Sequence, residues 1–150
     1  MTVAFFGHRD ADKNIGAPLY DVLNHLICNE GADTFYVGNQ GAFDALVLTV
    51  LKDLKKRYTH IRCTVVLAYM PPTTPIFNDT DTLVPLALVN ALPRFAIEKR
   101  NMWMLLQSDV VVTYVVRECG GAAKCKKKAL LLGKRVIELG NVRPIQTAGA

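Results

Sequence analysis

The chain opens with MTVAFFGHRD (residues 1–10), in which the apolar run at residues 3–7 ends in a glycine. His8 and Arg9 come directly after it and place a titratable ring beside a permanent positive charge. The run is apolar without alternation, which is typical of a strand covered on both faces in a parallel sheet. The role of His8 and Arg9 then depends on the residues at the ends of the other strands of that sheet.

Apolar runs and helical spacing alternate along the rest of the chain. The sequence predicts five strands, at residues 3–7, 34–38, 61–69, 110–116 and 135–139. Helical patterns separate them around 19–27, 43–54, 93–107 and 121–132. This alternation predicts an α/β doubly wound, mostly parallel sheet with helices on both faces. Right-handed crossovers favour the strand order 3-2-1-4-5, with the first strand central and a ligand site where the order reverses.

Size and composition indicate a single soluble domain. The 150 residues are 51% hydrophobic and 21% charged, which is ordinary for a globular protein. No apolar run reaches the ~18 residues of a membrane span, and the first residues do not resemble a signal peptide. We therefore expect one cytoplasmic domain over residues 1–150 and no membrane partner. A homo-oligomer is compatible with the apolar faces of such a sheet.

The cysteines do not form a metal-binding pattern. Cys28, Cys63, Cys119 and Cys125 are scattered, with no CxxC pair, and the histidines lie far from them in sequence. Structural zinc sites need clustered ligands at short spacing. We expect free thiols, no metal site and no cofactor.

The segment 70–93 interrupts the alternation of strands and helices and is rich in proline. A long irregular connection in a compact domain is usually a lid over a site or a partner-binding loop. An insertion without a role is the other interpretation, and both remain open.

Glycines and polar residues lie at the ends of three of the predicted strands. The first strand ends in GHRD (7–10), the second in GNQGAFD (38–44) and the fourth in RECGGAAK (117–124). Glycine lets a backbone approach a ligand closely, and a helix N-terminus presents free N–H groups to anions. Each turn alone is a weak signal, but three at one edge of a sheet predict a shared anion-binding pocket.

The same motifs resemble the SLOG superfamily, which includes the DprA-type and LOG-type proteins. The similarity lies in GHR, FYVGNQGAFD (35–44), PRFAIEKRNMWM (93–104), SD (108–109) and GGAAK (120–124). It covers nearly the whole chain and is greatest to the branch of small, stand-alone bacterial proteins, most of them uncharacterised. The resemblance implies a Rossmann-like sheet with a pocket for a nucleotide or a nucleotide derivative, but no single activity.

The sequence differs from LOG-type phosphoribohydrolases, which it otherwise resembles, at their PGGxGTxxE motif. The glutamate of that motif acts in N-glycosidic cleavage. The matching stretch is CGGAAKCKK (119–127), in which Lys127 stands in place of the glutamate. A lysine cannot stabilise a developing oxocarbenium ion, because its charge has the wrong sign. The resemblance therefore does not carry the hydrolase activity over. The remaining candidates for a catalytic group are Asp44, His8 and Glu118.

The pocket is expected to bind phosphate and ribose through its loops. Gly7 would keep a Cβ out of the cavity, so that Arg9 can reach a phosphate held at the Gly120-Gly121 turn. Asp44 would accept a hydrogen bond from a ribose hydroxyl, pair with Arg9, or merely complement the helix dipole. The predicted ligand-binding set is Gly7, His8, Arg9, Gly38, Asn39, Gly41, Asp44, Arg100, Asn101, Gly120, Gly121 and Lys124.

For three members of this set, namely His8, Lys124 and the pair Arg100 and Asn101, the prediction has a separate basis or an alternative. His8 is either a catalytic acid or base, or a structural histidine bonded to a neighbouring group. Lys124 opposes the helix dipole, which a bound phosphate would offset, but it can equally belong to a solvated lysine face. Arg100 and Asn101 are included because they resemble a recurring family pair near the pocket.

Binding of a nucleotide-derived ligand, as a sensor or regulator, is the leading functional prediction. The alternative is an enzyme that hydrolyses or transfers at the N-glycosidic bond of a nucleoside monophosphate. Single-stranded DNA binding comes third. It needs aromatic residues interleaved with basic ones, and only Tyr58, beside Lys55, Lys56 and Arg57, fits that pattern.

Overall fold

The structure, a computed structural model, describes residues 1–69, 81–85, 88 and 92–140. Its strands are β1 (Thr2–Gly7), β2 (Thr34–Val37), β3 (Arg62–Val66), β4 (Asp81–Leu83), β5 (Val110–Tyr114) and β6 (Arg135–Glu138). Its helices are α1 (Gly16–Glu30), α2 (Ala42–Arg57), α3 (Pro93–Gln107) and α4 (Gly121–Leu131), and a short 3-10 turn, Lys13–Ile15, precedes α1.

The six strands form one parallel sheet in the order β4-β3-β2-β1-β5-β6. The α/β class with helices on both faces is confirmed, and the arrangement is consistent with a Rossmann-like fold. The predicted count of five strands was wrong, and the predicted order was wrong in lacking the sixth strand. The five predicted strands keep the relative order 3-2-1-4-5, and β4 extends the sheet at the edge beside β3.

Strand β4 lies inside the segment 70–93, for which the sequence predicts an irregular connection. It is only three residues long and largely exposed, so its sequence, DTL, carries no apolar run. Its backbone pairs with β3, from Thr64 opposite Asp81 to Val66 opposite Leu83. Most of the rest of the segment 70–93 lies outside the described residues, and so does the lid predicted there.

Strand β1 lies inside the sheet, between β2 and β5, and both of its faces are covered by helices. Val3 and Phe5 pack with apolar residues of α1 and α2, whereas Ala4 and Phe6 pack with α3 and α4. This two-sided burial explains why the run at residues 3–7 does not alternate. The end of β1 therefore lies between the two helical layers.

The backbone beyond β5 is held by side chains instead of by a neighbouring strand. Glu138, at the end of β6, accepts hydrogen bonds from the hydroxyl of Thr113 at 2.7 Å and from the backbone N–H of Val115 at 2.9 Å. It also pairs with Lys126 of α4 at 3.0 Å. Strand β5 thus ends at Tyr114, two residues earlier than predicted, and the next residues form a loop. Within the described ranges, no helix combines the length and the apolar character needed to cross a lipid bilayer.

Candidate functional site

A cavity of about 560 Å³ opens at the carboxyl edge of the sheet, at the ends of β1 and β5. Its volume is in the usual range for small-molecule sites. The ends of β1 and β2, the loop before α4 and one face of α3 form its walls. Most of the predicted ligand contacts line it, namely Gly7, His8, Arg9, Gly38, Asp44, Arg100, Asn101, Gly120 and Gly121.

The other members of the predicted set lie outside the cavity wall. Asn39 accepts a hydrogen bond from Nη1 of Arg100 at 3.4 Å, and Gly41 packs against Arg9 so closely that a Cβ would come within 2.7 Å of its Cα. Lys124 and the catalytic candidate Glu118 are exposed and do not line the cavity. Asn39 and Gly41 therefore support the wall, whereas Lys124 and Glu118 do not form part of it.

The N-terminus of α4 is open to the cavity. Its first residue comes after Gly120, whose φ of 95° favours glycine, and no side chain caps the helix. The first helical hydrogen bond runs from the N–H of Lys124 to the carbonyl of Gly120 at 3.2 Å. In the described part of the chain, the N–H groups of residues 121–123 have no protein acceptor. Free N–H groups and the helix dipole make this end suitable for an anion.

The N-terminus of α2 has a similar start, but two N–H groups beside it are bonded within the protein. Gly41 has a φ of 98°. The N–H of Ala42 donates to the carbonyl of Arg9 at 2.8 Å, and the N–H of Gln40 donates to Oδ2 of Asp44 at 2.8 Å. The Asp44 carboxylate thus binds a backbone N–H just before α2, so this end is less open to an anion than the N-terminus of α4.

Asp44 is a buried carboxyl group in the cavity wall, only 8% exposed. Burial raises its pKa to about 6, although the hydrogen bond from Gln40 and the charges of Arg100 and Arg9 act in the opposite direction. The group therefore changes its protonation state just below neutral pH.

Arg100 is buried in the middle of α3, with 4% of its surface exposed. Its Nε donates to Oδ1 of Asn101 at 3.1 Å, and its Nη1 donates to Asn39 and, at 3.5 Å, to the carbonyl of Val66. All of these acceptors are neutral. Among the described residues, no carboxylate lies within 4.0 Å of the guanidinium. Burial lowers the pKa of Arg100, but arginine keeps its charge in proteins.

His8 holds the loop after β5. Its Nε2 accepts hydrogen bonds from the N–H groups of Val116 at 3.0 Å and Arg117 at 3.2 Å. Because both partners are donors, Nε2 carries no proton, and the neutral ring is protonated at Nδ1. Burial, together with the smaller effect of the Arg117 charge, lowers the pKa of His8. This geometry favours the structural interpretation of His8 over a role as a catalytic base.

Asp10 and Arg117 join the loops after β1 and β5 in a bidentate ion pair, with distances of 2.8 and 3.1 Å. Both line the cavity but were not among the predicted contacts. Their positions directly after two neighbouring strands were the available signal. Asp10 is thus engaged by Arg117, and in the described ranges no ion pair involves Arg9.

Two glycines in the wall make room for specific side chains. A Cβ at Gly7 would fall 2.2 Å from the ring of Phe43, so this glycine serves the contact between β1 and α2. The expectation that Gly7 keeps a Cβ out of the cavity was wrong, because a Cβ at this position would point into the Phe43 ring of α2. A Cβ at Gly38 would lie 2.8 Å from Oδ2 of Asp44 and 3.0 Å from Nη1 of Arg100. Gly38 therefore lets both charged groups approach β2.

The cavity also has an apolar side, which the sequence interpretation missed. Ile97 and Met104 of α3, Phe6 of β1 and Cys125 of α4 contribute to it. Ile97, Asn101 and Met104 have the i, i+4, i+7 spacing of one helix face, and that spacing was the signal available in the sequence.

The basic and aromatic cluster around Tyr58 is remote from this site. It lies at the C-terminal end of α2, whose first residue is near the cavity. The Tyr58 hydroxyl donates to Oδ1 of Asn24 at 2.6 Å and lies 2.7 Å from Sγ of Cys28. The cluster and the cavity are therefore at opposite edges of the sheet.

Neither a comparison with models of protein families nor a comparison with curated proteins finds a match to this chain. The resemblance to the SLOG superfamily accordingly stays a prediction based on its motifs.

Proposed function

We propose that the cavity binds a nucleotide or a nucleotide-derived ligand. The observation that carries this proposal is the buried guanidinium of Arg100, which faces the cavity and, within the described ranges, donates only to neutral acceptors. A buried charge without a paired counterion is costly, so a wall of this kind suits an anionic ligand. The apolar side formed by Ile97 and Met104 suits a base.

In this proposal the phosphate binds at the N-terminus of α4. The unbonded N–H groups of residues 121–123 supply donors, and Arg9 supplies a full positive charge on the same cavity. Asp44 faces the cavity with one oxygen bonded to Gln40, which leaves acceptor capacity for a ribose hydroxyl. Lys127 stands where the LOG-type hydrolases have their glutamate. We therefore propose that the main function is to bind the ligand, as a sensor or regulator.

Arg9→Ala tests the phosphate site. A charge-assisted hydrogen bond contributes about 1.5–3 kcal/mol, so the affinity for a nucleoside monophosphate should fall roughly 10- to 150-fold. Arg9→Lys should recover only part of this loss, since a point charge cannot bind a phosphate bidentately. Calorimetry with a panel of nucleoside monophosphates measures the affinities. Arg62→Ala, at an exposed arginine outside the cavity, is the matched control. Equal affinity for wild type and Arg9→Ala would contradict the proposed phosphate site.

Cleavage of an N-glycosidic bond is the second candidate function, and the buried carboxyl group of Asp44 favours it. A carboxylate on the cavity wall can stabilise a cation-like sugar, and its pKa of about 6 leaves it mainly ionised at pH 7. Single-stranded DNA binding gains no comparable support, because the Tyr58 cluster is remote from the cavity.

Asp44→Asn tests this candidate. If the protein releases free base from a nucleoside monophosphate, the substitution should lower the rate at least ~100-fold, the lower limit usual for a positioned acid–base group. The wild-type rate should rise as the pH increases through about 6, because the carboxylate is the active form. Chromatography of the released base measures both effects. A variant that retains the wild-type rate would exclude Asp44 as the catalytic group.

The stability of the same variant is its control. An asparagine oxygen can still accept the hydrogen bond from Gln40, so the fold should persist. Between pH 3.8 and about 6 the folded protein retains the Asp44 proton that the unfolded chain releases. Relative to Asp44→Asn, wild type should therefore lose stability as the pH rises through this range, since the variant lacks only this titrating group. If Asp44→Asn loses the cleavage rate but melts no lower than wild type at pH 7, the loss is caused by the missing carboxylate and not by unfolding.

A further inference from the structure

Asn101 presents its side chain in the cavity wall between Ile97 and Met104 on the same face of α3. In a nucleotide-binding cavity, such a position is where the edge of a base would be recognised, with the apolar residues against its plane.

The orientation of the Asn101 amide is fixed by chemistry. Nε of Arg100 lies 3.1 Å from it, and a guanidinium can only donate, so the atom facing Arg100 is Oδ1. Nδ2 therefore lies on the side of the amide away from Arg100.

This orientation decides what Asn101 can offer to a base. Asparagine normally reads adenine with both its oxygen and its nitrogen, as a paired acceptor and donor. Here the oxygen is directed to Arg100, and Nδ2 has no acceptor among the described residues, so its N–H groups remain for a ligand. That group complements a carbonyl oxygen on the base edge. An exocyclic amino group facing Nδ2 would bring donor against donor and leave both without an acceptor.

We propose that Asn101 makes the cavity selective for oxo bases, such as a 6-oxopurine, over the corresponding amino bases. This inference rests on the proposed nucleotide-binding function and adds the class of base that the site takes. Arg100 then has two roles in the same wall, because it provides positive charge and also sets the amide orientation of its neighbour.

Inosine and adenosine monophosphates provide the test, because they differ in whether position 6 of the purine carries an oxygen or an amino group. Wild type should bind the inosine nucleotide about 5- to 150-fold more tightly, the range expected when a buried donor gains or loses its acceptor. Asn101→Asp keeps an oxygen toward Arg100 but replaces the N–H₂ by an acceptor, so it should abolish or reverse this preference. Its added negative charge repels both phosphates equally and cancels in the affinity ratio.

Asn101→Ala is the second variant and should remove the preference without reversing it, so the test does not depend on the folding of one variant. Calorimetry on the full-length chain gives all affinities. If both nucleotides bind wild type equally, or if the ratio is unchanged in both variants, the proposed selectivity is wrong while nucleotide binding stands. If no nucleoside monophosphate binds wild type, the proposed function and this inference are both overturned.

Discussion

Replacing Arg100 by methionine should weaken nucleotide binding by about 30- to 4,000-fold, the range expected when one partner of a buried, charged hydrogen-bonded pair is removed. The same substitution should leave the free energy of unfolding unchanged or raise it. Among the described residues, buried Arg100 donates to neutral acceptors only, so the ligand-free protein bears the desolvation of a charge that Asp44 offsets from beyond 4.0 Å and not as an ion pair. Methionine has a similar length and fills irregular space with little strain.

Calorimetry and chemical unfolding of the same Arg100→Met sample separate the two effects. Arg94→Met is the matched control, since Arg94 is an exposed residue of the same helix and lies outside the cavity. Loss of Arg100 also removes a positive charge that lowers the pKa of Asp44, so this carboxyl should be protonated at a higher pH in the variant. A large fall in stability without a fall in affinity would show that Arg100 is a structural residue.

Gly7→Ala should destabilise the fold by about 3 kcal/mol or more, at or above the upper end of ordinary overpacking costs. The added Cβ would lie 2.2 Å from the buried ring of Phe43, and this ring cannot move away without disturbing the contact between β1 and α2. Denaturant unfolding measures the change. The result expected for Gly16→Ala is little change, because its Cβ would meet no heavy atom closer than 3.7 Å.

A double substitution distinguishes this contact from a general intolerance of β1 to change. Phe43→Leu shortens the side chain opposite Gly7, so Gly7→Ala should cost less in that background than in wild type. The difference measures the coupling between positions 7 and 43. If the two substitutions simply add, the clash with the Phe43 ring is not the reason for the glycine.

The central part of the fold results from features that are local in sequence. The run at residues 3–7 is apolar because β1 is covered on both sides, and helices α2 and α4 both begin directly after a glycine with positive φ. Strand β4 could not be predicted in this way. Its three residues are mainly exposed, and its pairing with β3 depends on the tertiary fold.

The candidate site was predictable in position but less so in detail. Loops after parallel strands meet at one edge, which is why residues at 7–9, 38 and 120–121 line one cavity. The burial of Arg100, by contrast, depends on how α3 packs, and nothing local distinguishes it from an exposed helical arginine. The function of Gly7 was misjudged for a similar reason, since its neighbour Phe43 is 36 positions away in the sequence.

The hydrogen bonds of Glu138 can form only late in synthesis, after the residues that line the cavity have been made. Strand β1, which supplies the floor, leaves the ribosome first, and His8 then has no partner until Val116 and Arg117 emerge. The N–H of Val115 must wait longer, because its acceptor belongs to β6, the last strand of the sheet to be made. A nascent chain therefore carries every residue that lines the cavity before the loop after β5 has its last hydrogen-bond partner.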